Sequence, residues 1–385
     1  MQGGAVKILH TADWQIGRIY SQFDAGDAAE LTNARLEGVR RIARLAVDHE
    51  VDAVLVAGDV FDSQTPRDKT VVRLFEALSG FDGPWLMLPG NHDAALPESV
   101  WELAKRLGAV PSNVVLCLNP EPLEVLGRGG TRFTVLPAPL TQRRTHADLT
   151  EWFDHAQTPE GMLRIGLAHG SASGILAEDI DSPNPVAADR AMRARLDYLA
   201  LGDWHGMKQV NERTWYSGTH EPDRFRDNGS GHALIVELDA PGAMPRVTPI
   251  ETASYRWTQL QLQVLGEADA ELALEALATI DAKSVVQVSL AGSCDMATQA
   301  RLEAALRSAE HRAAAFSVQQ HGLRLAPTEA DLQALRADGF VGETLSELKS
   351  QLQLPGEQAD LARDALLELA RIQRESIVAG RGAGA

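Results

Sequence analysis

The sequence predicts an α/β (α+β) fold in which two β-sheets pack face to face beneath outer helices. Three observations point there. Apolar runs of strand length alternate with helical periodicity over residues 6–88. Strand-like runs then follow one another over 114–238. Five short segments rich in Asp, Asn or His each close such a run. A sheet has two faces to cover, and this mixture covers one with a second sheet and the other with helices.

Each element can be justified in order. Residues 6–9 form a short apolar strand that leads to Asp13. Residues 28–49 place Leu31, Leu36, Val39, Ile42, Leu45 and Ala46 at helical spacing. Residues 53–57 read as a buried strand ending at Gly58 and Asp59, and a helix follows over 68–79. Residues 85–88 form the next strand and run into Pro89, Gly90, Asn91 and His92. Segments 114–118, 122–126, 132–136, 164–168, 198–201, 213–216 and 232–238 read as strands. Pro241, Gly242 and Pro245 break the pattern. Residues 255–320 then read strand, helix, strand, helix, strand, a small module of its own. Residues 327–376 are rich in Leu, Glu, Ala and Gln and read as helical, with Leu361, Ala365, Leu369 and Ile372 on one face. The domains expected are 1–250, 251–325 and 326–385.

Bulk properties narrow the function. A chain of 385 residues with 44% hydrophobic content can build one large core and smaller ones. No run approaches 18 apolar residues, so no membrane helix is expected, and no signal peptide is visible. Cys117 and Cys294 lie far apart and read as ordinary thiols in a reducing cytoplasm. The net charge of −17 argues against the isolated chain gripping nucleic acid, because phosphate contacts need Lys and Arg. It leaves room for a local basic rim, or for a partner that holds the polyanion.

The five segments carry the chemistry. They hold Asp13, then Asp59 and Asp62, then Asn91 to Asp93, then His169, then Asp203 and His205. Metal-ion hydrolysis of a phosphoester uses two cations about 3.5–4 Å apart with oxygen and imidazole ligands around them. Asp59, after a glycine at a strand end, suits the bridging position. Asp13 suits the first metal, Asn91 offers an amide oxygen to the second, and His169 and His205 offer imidazoles. Neighbouring side chains in extended backbone point different ways, so His92 faces the substrate rather than the metal beside Asn91. It reads as the general acid, with Asp62 accepting its ring N–H. His10 reads as a core histidine, and His220 as a residue near the cleft but outside the reaction. Arg18, Arg143, Arg144 and Arg224 sit in loops after these strands and read either as phosphate contacts or as solvated charges. Trp14 and Trp204 flank metal positions and read as packing beneath the site.

These motifs resemble the calcineurin-like metallophosphoesterases. Within them the resemblance is to the DNA-repair nuclease branch, the SbcD-type subunits related to the recombination nuclease that pairs with a coiled-coil ATPase. It rests on His10 to Trp14, Gly58 to Asp62 and Leu88 to Asp93, with Trp215 to Thr219 in support. It covers residues 5–250 by motif. It implies a DNA exonuclease or endonuclease subunit, two divalent ions with Mn2+ favoured and Mg2+ as the alternative, and an SMC-like ATPase partner. It also suggests a homodimer through helices near 96–107, and a capping module and C-terminal helix for the ATPase. The chain departs from the family pattern twice. Gln15 and Asp203 stand where histidines are usual. If every position ligates, the set is Asp13, Gln15, Asp59, Asn91, His169, Asp203 and His205, five oxygens and two nitrogens, which suits hard ions. Gln15 reads either as a ligand or as a partner of a metal-held water, and Asp203 either as a ligand or as a salt-bridge partner. Two other readings stay open. One is a free-standing phosphoesterase acting on small phosphodiesters, cyclic nucleotides or phosphoproteins, and the other is a degenerate scaffold subunit.

Overall fold

The computed structural model describes residues 5–174, 183–326 and 340–382. They fall into two compact units, Met1–Trp257 and Thr258–Ala385.

The first unit holds two six-stranded sheets. Numbered along the chain, one sheet contains β1 (Val6–Thr11), β2 (Ala53–Val56), β3 (Trp85–Met87), β4 (Val114–Leu116), β13 (His232–Leu238) and β14 (Arg246–Glu251), in the order β14-β13-β1-β2-β3-β4. The other contains β5 (Leu123–Leu126), β6 (Arg132–Ala138), β7 (Arg164–His169), β10 (Tyr198–Gly202), β11 (Lys208–Asn211) and β12 (Thr214–Tyr216), in the order β11-β12-β10-β7-β6-β5. A small pair, β8 (Ser171–Ala172) and β9 (Pro185–Val186), lies apart. Strands β1, β2 and β3 run parallel, as do β6, β7, β10 and β12.

Side-chain alternation explains the layering. Ile8, Ala53, Leu55 and Leu86 point toward the second sheet and meet Phe133, Val135, Ile165, Leu167 and Ala200 in one core. Leu9, Val54, Val56 and Met87 point the other way. There they pack under α1 (Ala25–Asp48), α2 (Asp68–Ala77) and α3 (Val100–Arg106) through Val39, Ile42, Leu74, Phe75 and Trp101. The period of two in the strands and of 3.6 in the helices thus sends each set to its own layer. Helix α1 starts on Asp24, whose side chain accepts from the Asp27 amide at 2.9 Å. The outer face of the second sheet is covered by a core that includes Phe153, Ala191 and Leu196, with the one-turn helix α4 (Arg190–Arg193). Helix α3 turns Val100, Trp101 and Ala104 inward and Glu102, Lys105 and Arg106 outward, so its outer face is charged.

The second unit has a sheet of β15 (Arg256–Val264), β16 (Ser284–Cys294) and β17 (Ala315–Leu325) with α5 (Glu267–Ala278) and α6 (Met296–Arg312). Val264, Leu277, Val286, Val288, Leu302 and Leu306 form its core. Two further helices follow, α7 (Phe340–Gln351) and α8 (Glu357–Gly382). Of the helical segment expected over 327–376, residues 327–339 lie outside the described residues. The face expected on α8 is corrected. Among its described residues Ala359, Ala362 and Leu366 are buried and Ala365 and Leu369 half-buried, while Leu361 is 70% exposed and Ile372 47%. The inward face runs through Ala362 and Leu366, one position on from Leu361 and Ala365. No helix among the described residues is long and apolar enough to cross a membrane. Cys117 and Cys294 are free, buried thiols, one in each unit.

Candidate metal centre

The five loops that carry the motifs leave the C-terminal ends of adjacent parallel strands in the two sheets. Asp13 and Gln15 follow β1, Asp59 follows β2, and Asn91 and His92 follow β3. His169 ends β7, and Asp203 and His205 follow β10. Strand ends of this kind gather loops around a ligand. The backbone is strained there. Asp13 (φ 53°), Gln15 (43°), Asp59 (50°) and Asp203 (103°) all lie in the region side chains avoid. Strain of this kind persists only where the surroundings over-determine it, and it collects at functional sites. Hydrogen bonds between the loops supply that determination. The Asp13 amide donates to Gly58 O at 3.0 Å and the Gln15 amide to Asp59 O at 2.8 Å.

The structure brings Asp13, Asp59 and His169 together, with ligand atoms within 4.8 Å of one another. All three are buried. His169 Nδ1 lies 2.8 Å from Ala57 O, which orients the ring so that Nε2 faces Asn91 Oδ1 at 2.9 Å and Asp59 Oδ1 at 3.5 Å. Asp203 joins from the rim, with Oδ1 3.8 Å from His169 Nε2 and its amide donating to both Asp13 oxygens at 3.2 Å. Asn91 Oδ1 sits 3.1 Å from each Asp59 oxygen. That contact between acceptors is reconciled by a cation; without one the amide turns its NH2 inward. The charges say the same. Burial pushes Asp13 up to about 6, and Asp59 and Asp203 add to it against His205 and His169. Burial works against a charged His169, yet Asp59, Asp13 and Asp203 carry it up to about 9. This is a buried surplus of negative charge on oxygen and imidazole donors, and a divalent cation fits it.

Gln15 and His205 form a second half of the centre. The Gln15 Oε1 accepts from Arg18, and its NH2 meets His205 Nε2 at 3.2 Å. In that direction Nε2 is the acceptor, while His205 Nδ1 lies 2.8 Å from both Asp223 Oδ2 and Arg224 Nη2. Asp223 is a buried carboxylate that Arg224 also grips, through Nε at 2.8 Å and Nη2 at 3.1 Å. Burial opposes its charge, but His205 and Arg224 hold it well below the usual carboxylate range. Arg18 Nη2 lies 3.3 Å from the same carboxylate.

His92 stands beside this cluster. Its amide donates to Asp59 Oδ1 at 2.8 Å, and its Nε2 is 3.9 Å from Asp59 Oδ2. The ring is oriented, but not by the group expected. His92 Nδ1 lies 2.8 Å from the main-chain carbonyl of Asp62, while the Asp62 carboxylate faces Arg18 Nη1 at 3.7 Å. Chain direction in the turn after Asp59 decides this, and side-chain identity does not reveal it. Arg18 and Arg224 therefore lie at the rim, both engaged by carboxylates. Arg143 and Arg144 are exposed in a separate loop, and Trp14 is wholly buried. His10 is a core histidine between Tyr198 and Leu201.

Three supporting residues escaped sequence reasoning. Asp93 accepts from the Gly90 amide at 2.7 Å and the Phe61 amide at 3.0 Å, tying the loop after β3 to the loop after β2. Burial first, then Asp59, pushes its carboxyl up to about 7. Asp223 sits in a Pro-flanked loop with no periodic signal. Arg35 is completely buried in α1, yet its place was marked: it falls four residues after Leu31 and four before Val39, on the apolar stripe.

A calcineurin-like phosphoesterase model matches residues 6–233. The DNA double-strand break repair protein Mre11 of Haloferax volcanii is 25% identical over 304 residues, 77% of this chain and 64% of that protein. The SbcD component of the nuclease SbcCD from Rhodobacter capsulatus is 27% identical, over 64% of this chain and 69% of its own length. Its counterpart from Escherichia coli K12 is 31% identical, over 63% and 67%. The match spans 64% of the Haloferax relative and 37% of the Mre11 of Methanosarcina acetivorans. With the ligand geometry above, and a matched region spanning more than half its length, the chain belongs to the calcineurin-like phosphoesterase family.

Proposed function

We propose that this chain is a divalent-metal-dependent phosphodiesterase acting on DNA, a repair nuclease subunit that works with an SMC-like coiled-coil ATPase. The observation that carries the reading is the convergence of Asp13, Asp59 and His169 with His92 beside them. A bound divalent ion, with Mn2+ the first candidate and Mg2+ the second, would lower the pKa of a water to make a nucleophile at neutral pH and offset charge on the phosphate. Asp13, Asp59, Asn91, His169 and Asp203 would hold it. His92, its Nδ1 held by the Asp62 carbonyl, would use Nε2 to give the leaving sugar oxygen a proton. Arg18 and Arg224 offer N–H groups to phosphate at the rim, at the cost of part of their contact with Asp223.

The choice of DNA as substrate is supported by the names of the relatives. A net charge of −17 calls for another subunit to grip the strand, which is the part assigned to the ATPase. Leu354 and Leu361, 45% and 70% exposed around the start of α8, suit contact with an apolar helix.

The test is Mn2+-dependent cleavage of hairpin-ended linear DNA, with an aryl phosphodiester in parallel and His92→Ala as control. Loss of DNA cleavage in the variant supports the reading. Turnover of the aryl ester alone moves it to a small-diester enzyme or to a chain that lacks its partner. Turnover of neither substrate leaves a scaffold subunit.

A further inference from the structure

We infer that the centre binds one divalent ion tightly, and that Gln15, Arg18 and His205 together keep the adjacent position from binding a second ion tightly. The inference rests on the metal-dependent reading above and goes beyond it in assigning the two halves different affinities.

The argument is where the donor atoms are already committed. In the Asp13, Asp59 and His169 half, the carboxylates of Asp13, Asp59 and Asp203 gather around one imidazole, with Asp59 Oδ1 at 3.5 Å and Asp203 Oδ1 at 3.8 Å from His169 Nε2. This surplus of carboxylate gains from a cation. The other half already has one, the Arg18 guanidinium. The Gln15 oxygen accepts from Arg18, and its NH2 covers the His205 lone pair at 3.2 Å. For an ion to enter, Gln15 must release both His205 and Arg18 and turn its oxygen inward. Its backbone gives little room, because φ is 43° and the amide is bonded to Asp59 O.

Arg18 adds a charge barrier. Asp223 at 3.3 Å, Asp62 at 3.7 Å and the Tyr20 ring at 5.8 Å hold its guanidinium beside this half. A fixed positive charge there opposes a divalent cation, and arginine does not lose its proton in the usable pH range. The same guanidinium is well placed to meet an anion once one ion is in place. The site would thus pair one exchangeable cation with one built from a side chain.

The experiment is a count of ions, and it needs no turnover. The full chain, stripped with chelator, is titrated with Mn2+ by calorimetry and followed by low-temperature electron paramagnetic resonance. We expect one ion per chain bound at least about tenfold tighter than any second, with the spectrum of an isolated Mn2+ at one equivalent. Gln15→His restores an imidazole at a φ that histidine tolerates. It should bring the second affinity within about tenfold of the first and give a spin-coupled spectrum. Should that variant fold poorly, Arg18→Ala decides, with an expected gain of about tenfold or more in the second affinity. Two ions of similar affinity and a coupled spectrum in the unaltered chain overturn the inference. So does a second affinity that neither variant raises. One tight ion without cleavage of any phosphodiester sinks the proposed function and leaves this inference standing, whereas a chain that binds no ion sinks both.

Discussion

Arg35 Nη2 donates to the main-chain carbonyl of Asp13 at 2.9 Å, from a helix that contributes no ligand to the centre. The other donors of this guanidinium are placed as fully. Nε reaches Trp14 O at 2.7 Å, Nη1 reaches Glu221 O at 3.1 Å and Tyr20 Oη at 3.2 Å, and Nη2 also reaches Thr219 Oγ1 at 2.7 Å. An arginine fork has five N–H groups, and here five acceptors take them. The carbonyls of Asp13 and Trp14, between the strained backbones of Asp13 and Gln15, are thereby fixed, so Arg35 is a positioning residue for the candidate ligand Asp13.

Arg35→Lys keeps the charge and loses the fork. Lysine has three donors for five acceptors, so buried carbonyls are left unpaired at about 1–3 kcal/mol each. A destabilisation of about 2–4 kcal/mol is expected in urea unfolding. Mn2+ affinity should also fall, because Asp13 loses its anchor. A variant that unfolds at a lower urea concentration but binds Mn2+ as tightly as the parent would show Arg35 to be structural only.

Asp223→Asn tests the imidazole. The carboxylate faces His205 Nδ1 at 2.8 Å, and an amide presents that atom with either a donor or a weaker acceptor. Asparagine keeps the size of Asp223 and an oxygen for Arg224, so the chain should still fold. Phosphodiester turnover should fall by about 10–100-fold, while the tight ion beside Asp13, Asp59 and His169 should bind as in the parent. Unchanged turnover would mean that His205 needs no orienting partner.

Much of this site is legible in the sequence because a strand end imposes order. Asp13, Asp59, Asn91, His169, Asp203 and His205 each follow a short apolar run, and parallel neighbours bring those ends together. What stays hidden depends on three-dimensional accidents of direction. The acceptor for His92 is a carbonyl, which every residue has, so the sequence points to the Asp62 carboxylate instead. Asp223 works across 18 residues of chain from His205, out of a loop without a pattern. Arg35 was visible as a charge on an apolar stripe but blends with Arg40, Arg41 and Arg44 of the same helix. On α8 a shift of one residue exchanged an exposed Leu361 for a buried Ala362.

Gly58→Ala should abolish the centre. Gly58 has φ +89°, and a Cβ there would sit 2.2 Å from His169 Nδ1. The histidine cannot step aside while bonded to Ala57 O. Backbone strain and the clash together are expected to cost about 2–4 kcal/mol, with turnover lost in whatever fraction folds. Wild-type Mn2+ binding in a folded Gly58→Ala chain would contradict the close approach.

The core histidine makes a pH prediction of definite sign. His10 is buried, with Nδ1 2.9 Å from Tyr198 Oη and Nε2 3.2 Å from Leu201 O. Burial drives its pKa down from 6.5 to about 3, against a smaller opposing effect of the Leu201 carbonyl. Between those values the unfolded chain binds a proton that the folded chain refuses. Stability is therefore complete above pH 6.5 and falls as the solution is acidified toward 3, at up to about 1.4 kcal/mol per pH unit for this one group. His220, buried with Nε2 2.7 Å from Arg35 O and also held neutral by burial, adds a second such slope. His10→Asn keeps a polar atom near Tyr198 and cannot take up that proton. Urea midpoints at pH 7.5, 5.5 and 4.5 should converge on acidification, the variant being less stable at pH 7.5 and losing less below 6.5. Parallel lines for the two proteins would mean that His10 is protonated in the fold or lies open to water.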